Sequence, residues 1–317
     1  MAEHRSEILL WLIGASVALA VSVFMEDPYL RSVLNLMAIS TLLAASLRFV
    51  LLMGELNFAL PAFTGIGAYA AGYLNTALSV PFGLAVLAAG LLTALISAGF
   101  GAIALRAKGP YFLLIGFAFT EAIRVLYSKI PALGGTSGMV GIFPDRSVDP
   151  WMSMIIMAVV VVLLLAFYIA ERSDFGRILA AIHENENIAR SVGINTYLCK
   201  IIAISAACFA AGIGGGLHGF ANSVISPGDF SYLLAAFALA YVKVGGEDHF
   251  LGPIVGAIAL VALSNYAIGF GGDEHFIYGG AIILAVLMMP RGVIGAATGL
   301  RHRISTKLRV EAGQNAE

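Results

Sequence analysis

Charge is the scarcest commodity in this sequence. Only 12% of its 317 residues are Asp, Glu, Lys or Arg, while 60% are hydrophobic; a soluble domain carries about 25% charged residues. Too few polar side chains remain to coat a water-facing surface, which argues against a soluble globular enzyme. The high apolar content and the lack of a short repeat also exclude disorder and fibrous architecture. Neither sign of charge is in excess, with 18 Lys+Arg against 19 Asp+Glu, so no basic face invites nucleic acid. Cysteine is nearly absent. Cys199 and Cys208 lie on one predicted helix, where nine residues at about 100° each turn them to opposite sides, excluding a bond between them. They read as packing residues.

Catalytic signatures are missing too. There is no G-x-x-x-x-G-K-[ST] loop, and Gly65-x-Gly67-x-x-Ala70 has dinucleotide-binding spacing inside an apolar span rather than after a strand. His183-Glu184-Asn185-Glu186-Asn187 opens like a zinc-protease motif but has Asn where the second His belongs. Gly135-Thr136-Ser137-Gly138-Met139 lacks the last glycine of a nucleophile elbow, and the six histidines are scattered. The residues therefore predict a non-catalytic protein with no metal or cofactor of its own.

What is present is long apolar segments and 36 glycines, the latter expected where membrane helices pack closely. At about 20 residues per crossing, ten spans are read: 8–25, 33–53, 57–78, 80–105, 110–128, 151–170, 199–220, 231–246, 252–270 and 276–290. Segment 57–105 is nearly continuous, broken by Pro61 and by Ser79-Val80-Pro81, and the last three spans are short enough to include tilted or re-entrant pieces. The first could instead be a signal peptide, but it is long for one and is followed by Glu26-Asp27-Pro28. With both termini in the cytoplasm, alternation leaves only Arg31, Arg124, Lys129 and Arg146 outside, of 18 Lys+Arg. The expectation is an all-α polytopic membrane protein of about ten helices, with a transmembrane domain over 1–300 and a polar cytoplasmic tail over 301–317.

The longest charged stretch between spans is 171–197, on the cytoplasmic side. Asp174 can cap a helix and Gly193 can end one, while Ile178, Ala181, Ile182, Ala189 and Val192 recur at helical spacing. An amphipathic helix under the membrane follows, which by composition alone could merely join two spans. Glu121 and Arg124 fall in the outer half of the fifth span, on one face; charges there either face a cavity or pair with each other. The outer loop Gly134-Gly135-Thr136-Ser137-Gly138 suits a vestibule or a plain turn.

Several segments, in order, resemble the LivM-type permease of branched-chain amino acid ATP-binding-cassette importers. These are Gly65-Ile66-Gly67-Ala68-Tyr69, Gly109-Pro110-Tyr111-Phe112 with Phe117-Ala118-Phe119-x-Glu121, and the loop Gly134–Gly138. Ser173-Asp174-Phe175-Gly176-Arg177 follows, continuing through Ala180-Ala181-Ile182-His183-Glu184-Asn185-Glu186 and Ala189 to Gly193-Ile194-Asn195; then come Ser226-Pro227, Gly245-Gly246 and Leu251-Gly252-Pro253-x-x-Gly256-Ala257. The resemblance covers about residues 30–290, and its cytoplasmic segment is the most specific part.

It implies that segment 172–197 is a coupling helix docking on an ATPase, with Arg177, Glu184, Asn185, Glu186 and Arg190 at a polar rim, Ile182 and Ala189 as apolar knobs, and Gly193 closing it. It further implies a second, LivH-like permease, two ATP-hydrolysing subunits that bind the ATP, an external substrate-binding protein, and a bacterial inner-membrane location. Candidate path residues are Asn57, Phe63, Tyr69, Glu121 and Thr136, although Phe63 and Tyr69 read equally as core packing and Thr136 as a loop residue. The chain departs from the family pattern at Gly54-Glu55-Leu56-Asn57-Phe58-Ala59, at Gly245-Gly246-Glu247-Asp248-His249 and at His183. These departures leave open whether the solute is a branched-chain amino acid or a related small molecule. Two other readings stand beside the importer: an ion-coupled secondary transporter using Glu121, and a membrane scaffold recruiting a cytoplasmic partner.

Overall fold

A computed structural model describes residues 27–268 except 108 and 147, together with 279, 280, 292 and 295. The first expected span, the tenth apart from residues 279 and 280, both termini and the tail 301–317 lie outside these residues, as does the choice between a first helix and a signal peptide.

Among the described residues, nine α-helices follow one another over 27–268: α1 (Pro28–Leu51), α2 (Leu60–Leu78), α3 (Phe82–Ala104), α4 (Pro110–Lys129), α5 (Met152–Arg172), α6 (Asp174–Ser191), α7 (Thr196–Asn222), α8 (Tyr232–Gly245) and α9 (Gly252–Ile268). Prolines mark their starts. Pro28, Pro61 and Pro110 each stand in a first turn, where the missing N–H has no intrahelical partner to lose. The Asp27 side chain accepts from Tyr29 N at 2.9 Å and caps α1. The expected break at 79–81 is present: Ser79 ends α2 in the left-handed region (φ +52), and α3 begins after Pro81.

Five of the described helical segments are long and apolar enough to cross a membrane, namely α1, α3, α4, α5 with its leading turn, and α7; α8 and α9 are shorter apolar helices. α2 has 19 residues but is diluted by Asn75, Thr76 and three residues of Thr64 or tyrosine type. This describes a multi-pass membrane protein in which seven of the ten expected spans appear as apolar helices and an eighth as α2. Large apolar side chains on α3, among them Leu91, Leu95 and Ile103, are exposed, as suits a protein whose surrounding solvent is hydrocarbon.

The architecture is not purely helical. β1 (Met139–Val140) pairs antiparallel with β2 (Val224–Ile225) in the register Met139↔Ile225 and Val140↔Val224. This ribbon ties the loop after α4 to the end of α7. Two-residue strands carry no alternation to read in a sequence.

α7 is the centre of the bundle, packed by α2, α3 and α1. Small residues permit the approach. A Cβ on Gly67 would lie 2.1 Å from Gly212 O, and one on Gly215 would lie 1.9 Å from Thr64 O. Backbones meet directly there, the contact that holds membrane helices together when hydrophobic exclusion between them is weak. A second core joins α8, α9 and α1 through Ala44, Tyr241, Val242, Val244, Ala257 and Leu260.

One segment departs from the expected helix over 57–78. Residues 54–59 are non-helical, yet Glu55, Asn57 and Ala59 are buried. Asn57 Nδ2 donates to Cys208 Sγ at 3.7 Å, and Cys208 stands near the middle of the 27-residue α7, about 18 Å from its first residue. Thr120 Oγ1, in mid-α4, donates to Phe58 O at 2.8 Å. The chain therefore enters the bundle in irregular form and α2 begins near half-height. Irregular backbone at such depth is tolerated where protein buries it or where it lines a cavity.

Candidate functional site

The polar helix α6 lies at the end of the bundle where α5 stops and α7 starts. Its cap differs by one residue from the expectation. Ser173, not Asp174, is the N-cap, accepting from Phe175 N at 3.2 Å, because its short hydroxyl reaches the free amide while Asp174 occupies the first helical turn and pairs with Arg177. The other end closes as expected: Gly193 has φ +88, Gly193 N donates to Arg190 O at 3.0 Å and Ile194 N to Ala189 O at 3.2 Å. This bond pair is the glycine-terminated helix ending that demands a left-handed residue.

The interior is not one rigid rod. Asn185 has extended backbone (φ −160, ψ 101). Its Oδ1 accepts from Asn187 N at 3.0 Å and Ile188 N at 3.2 Å, so Asn185 caps a second segment of α6. A short amide side chain competes for backbone N–H groups and favours such interruptions.

The two segments are moored differently. Gly176 packs on the Glu171 backbone, where a Cβ would stand 1.9 Å from its oxygen, and Leu179 and Ile182 are buried. His183 rests on Gly54. Ala189 is also buried. Ile182 and Ala189 thus face the bundle and are not the exposed knobs expected of them; the large exposed apolar side chains are Ile188 and Val192, at 63% and 71%, flanked by Arg177, Glu184 and Asn187. The reason is phase: Leu179, Ile182 and Ala189 form the inward stripe of α6.

Glu186 carries the second mooring. It receives bonds from Lys200 Nζ at 3.0 Å and Thr196 Oγ1 at 3.2 Å and pairs with Arg190. Partial burial pushes its carboxyl up, but the Lys200 hydrogen bond and the Lys200 and Arg190 charges together outweigh that and hold it below the usual glutamate range. Lys200 Nζ also donates to Glu55 Oε1 at 2.8 Å, with both side chains about a tenth exposed. A neighbouring node joins α1 to α5: Arg48, 5% exposed, donates to both Glu171 oxygens at 2.7 and 2.8 Å and to Glu247 O at 2.8 Å. Glu55 and Glu247, two departures from the family pattern, are thereby placed beside buried cations.

The expected path residues are dispersed. Asn57 is fully buried at half-height, its Oδ1 accepting from Ala59 N at 3.1 Å. Phe63 lies in an aromatic layer with Phe100 (5.6 Å) and Phe119 (5.5 Å). Tyr69 stacks on Tyr127 at 4.3 Å and meets Phe230 edge-on at 6.0 Å; its hydroxyl is buried without a hydrogen-bond partner. Glu121 pairs with Arg124 at 2.7 Å and accepts from Tyr232 N at 3.5 Å. Thr136 is exposed on the turn Gly135–Ser137. They run from mid-bundle to the end opposite α6.

Lys200, Arg48 and Glu171 were missed as a group. The signal was available: Arg48 and Lys200 stand inside predicted spans, where a cation requires a partner, although the sequence does not say which carboxylate comes near.

Over residues 29–289 the chain matches the family described as "Branched-chain amino acid transport system / permease component". It is 26% identical over 221 residues to the high-affinity branched-chain amino acid transport system permease protein LivM of Escherichia coli (strain K12), covering 60% of this chain and 52% of that one. The LivM protein of Salmonella typhimurium is likewise 26% identical, over 220 residues, with the same coverage. A probable branched-chain amino acid transport permease protein LivH of Methanocaldococcus jannaschii is 26% identical over 147 residues, 43% of this chain and 46% of that one. The chain spans about half the length of the curated relatives it matches.

Proposed function

The chain belongs to the branched-chain amino acid transport permease family, and on that premise we propose that it is a membrane-spanning subunit of an ATP-binding-cassette importer for branched-chain amino acids or a closely related small solute. It catalyses no reaction and carries no cofactor; ATP is bound by two partner ATPases. A second, LivH-like permease completes the path, and an external binding protein delivers and selects the solute. The location is a bacterial inner membrane, with α6 on the cytoplasmic side.

The observation that carries this reading is α6: a polar helix capped at both ends by Ser173 and Gly193, buried along one stripe, and presenting Arg177, Glu184, Ile188 and Val192 outward. That outward set offers charges for a polar rim and two apolar side chains for a groove. ATP-driven closure of the partners would displace α6 and shift the bundle between two arrangements that open alternately. Asn57, at the start of an interrupted helix near half-height, is the path residue this geometry supports best, since transporter sites gather at such interruptions.

Uptake in proteoliposomes tests the reading. Vesicles holding this chain, its partner permease, the ATPases and the loaded binding protein should accumulate a radiolabelled branched-chain amino acid only when ATP is supplied. Uptake by this chain alone, driven by an ion gradient, would refute it in favour of a secondary transporter.

A further inference from the structure

The interruption at Asn185 leaves α6 with two kinds of attachment. Its first segment is held by apolar burial of Leu179 and Ile182, contacts without direction. Its second is held by Glu186 on Lys200, a directional bond between charges that is costly to break away from water. The second bond of Lys200 leads inward. Glu55 begins the irregular buried stretch whose continuation, Asn57, touches Cys208 at half-height of α7. One cation therefore joins the second part of α6 and the first turns of α7 to the re-entrant stretch 54–59, which is distant from both in sequence.

We infer that Lys200 is the positioning residue of transport, the point through which displacement of α6 reaches the re-entrant stretch 54–59. The inference rests on the importer reading and specifies the link inside it. Lys200 holds both carboxylates at once, so displacing the second segment of α6 relative to Glu55 breaks one of its two ion pairs, and the segment and Glu55 resist separation as a unit. The stretch 54–59 has no helical hydrogen-bond ladder of its own, so it can follow a pull at Glu55 without unwinding a helix. Its tip is braced by Thr120 on Phe58 O and by Asn57 on Cys208, so the displacement is delivered between α4 and α7. His183 also rests on Gly54, a contact without an ion pair.

The test uses the whole assembly in proteoliposomes, with solute uptake and ATP hydrolysis measured on the same vesicles. Lys200→Arg retains a cation between the two carboxylates and should retain wild-type uptake per ATP. The triple variant Lys200→Met, Glu55→Gln, Glu186→Gln removes all three charges; Arg190, which loses its carboxylate, is half exposed and keeps its bond to Thr196. It should assemble and hydrolyse ATP yet move about tenfold fewer solute molecules per ATP, within the range of known coupling effects. Wild-type uptake per ATP in the triple variant overturns the inference. Failure of the triple variant to assemble overturns it as well, because the three charges would then serve folding alone. Wild-type vesicles that transport without ATP would instead defeat the importer reading itself, and this inference with it.

Discussion

Replacing Arg48 by methionine isolates the cost of stranding a buried carboxylate. Methionine keeps most of the apolar stem and deletes the charge. The wild-type guanidinium is 5% exposed and makes three bonds, two to Glu171 and one to Glu247 O. Breaking a fully buried pair costs about 3–5 kcal/mol. The Glu171 side chain is 24% exposed, so water recovers part of that loss, and about 2–4 kcal/mol is expected. Most of this is the penalty of leaving Glu171 charged and alone. Arg48→Met combined with Glu171→Gln should therefore be more stable than Arg48→Met by about 1–2 kcal/mol. Denaturant titration of the detergent-solubilised chain, followed by circular dichroism at fixed detergent, gives the four corners of the cycle. Arg177→Met is the control, since that side chain is 77% exposed and its pair should matter by less than about 1 kcal/mol. An Arg48→Met protein within about 0.5 kcal/mol of wild type, or a double variant weaker than the sum of the singles, would refute the reasoning.

Two further outcomes follow from packing and from titration. Gly67→Ala should destabilise the bundle by at least about 1–3 kcal/mol, because its Cβ would stand 2.1 Å from Gly212 O, whereas Gly99→Ala on α3 meets open space and should be neutral or slightly stabilising; the same denaturant titration separates them, and equal losses would contradict the direct backbone contact. Glu186 has a lowered carboxyl pKa, so its stabilising contribution is fully present above the unfolded glutamate value of about 4.3 and disappears as pH falls toward the folded value. The stability advantage of wild type over Glu186→Gln should thus be constant near neutrality and shrink in acid; an advantage that grew on acidification would reverse the sign of the argument.

Element starts were legible because proline and capping residues act locally. Pro28, Pro61, Pro81 and Pro110 each sit at or just before a helix start, and Gly193 closes α6 where its left-handed backbone requires. The interruption at Asn185 was not legible. Ile178, Ile182, Ala189 and Val192 keep helical spacing across it, and one extended residue does not disturb a pattern read at every third or fourth position. The re-entrant stretch 54–59 was hidden for a related reason: Leu56, Phe58 and Ala59 are apolar and half-buried or buried, and hydropathy records removal from water rather than helicity. For Arg48 and Lys200 the sequence showed that partners must exist but not which, since Glu171, Glu55 and Glu186 are chosen by tertiary placement.

The distribution of strong bonds along the bundle bears on how it could work. At the α6 end, two buried cations tie α1, α5, α6, α7 and the entry to α2 together. Toward the opposite end, the attachments described are the two-residue β1–β2 ribbon, the turn Pro227–Phe230 held by Ser226 and Asp229, and a Glu121–Arg124 pair made within one helix. Charge pairs away from water resist separation more strongly than a short hydrogen-bonded ribbon or a partly exposed pair whose link to a second element is one 3.5 Å bond from Tyr232 N. A force applied at α6 would then move the tied end as a block, and the deformation would collect where attachments are weaker, around Tyr69, Tyr127 and Phe230. That division of stiffness is what a bundle driven from one side and opening on the other requires, and it places the cluster of Tyr69, Tyr127 and Phe230, rather than α6 itself, where the change in shape should be largest.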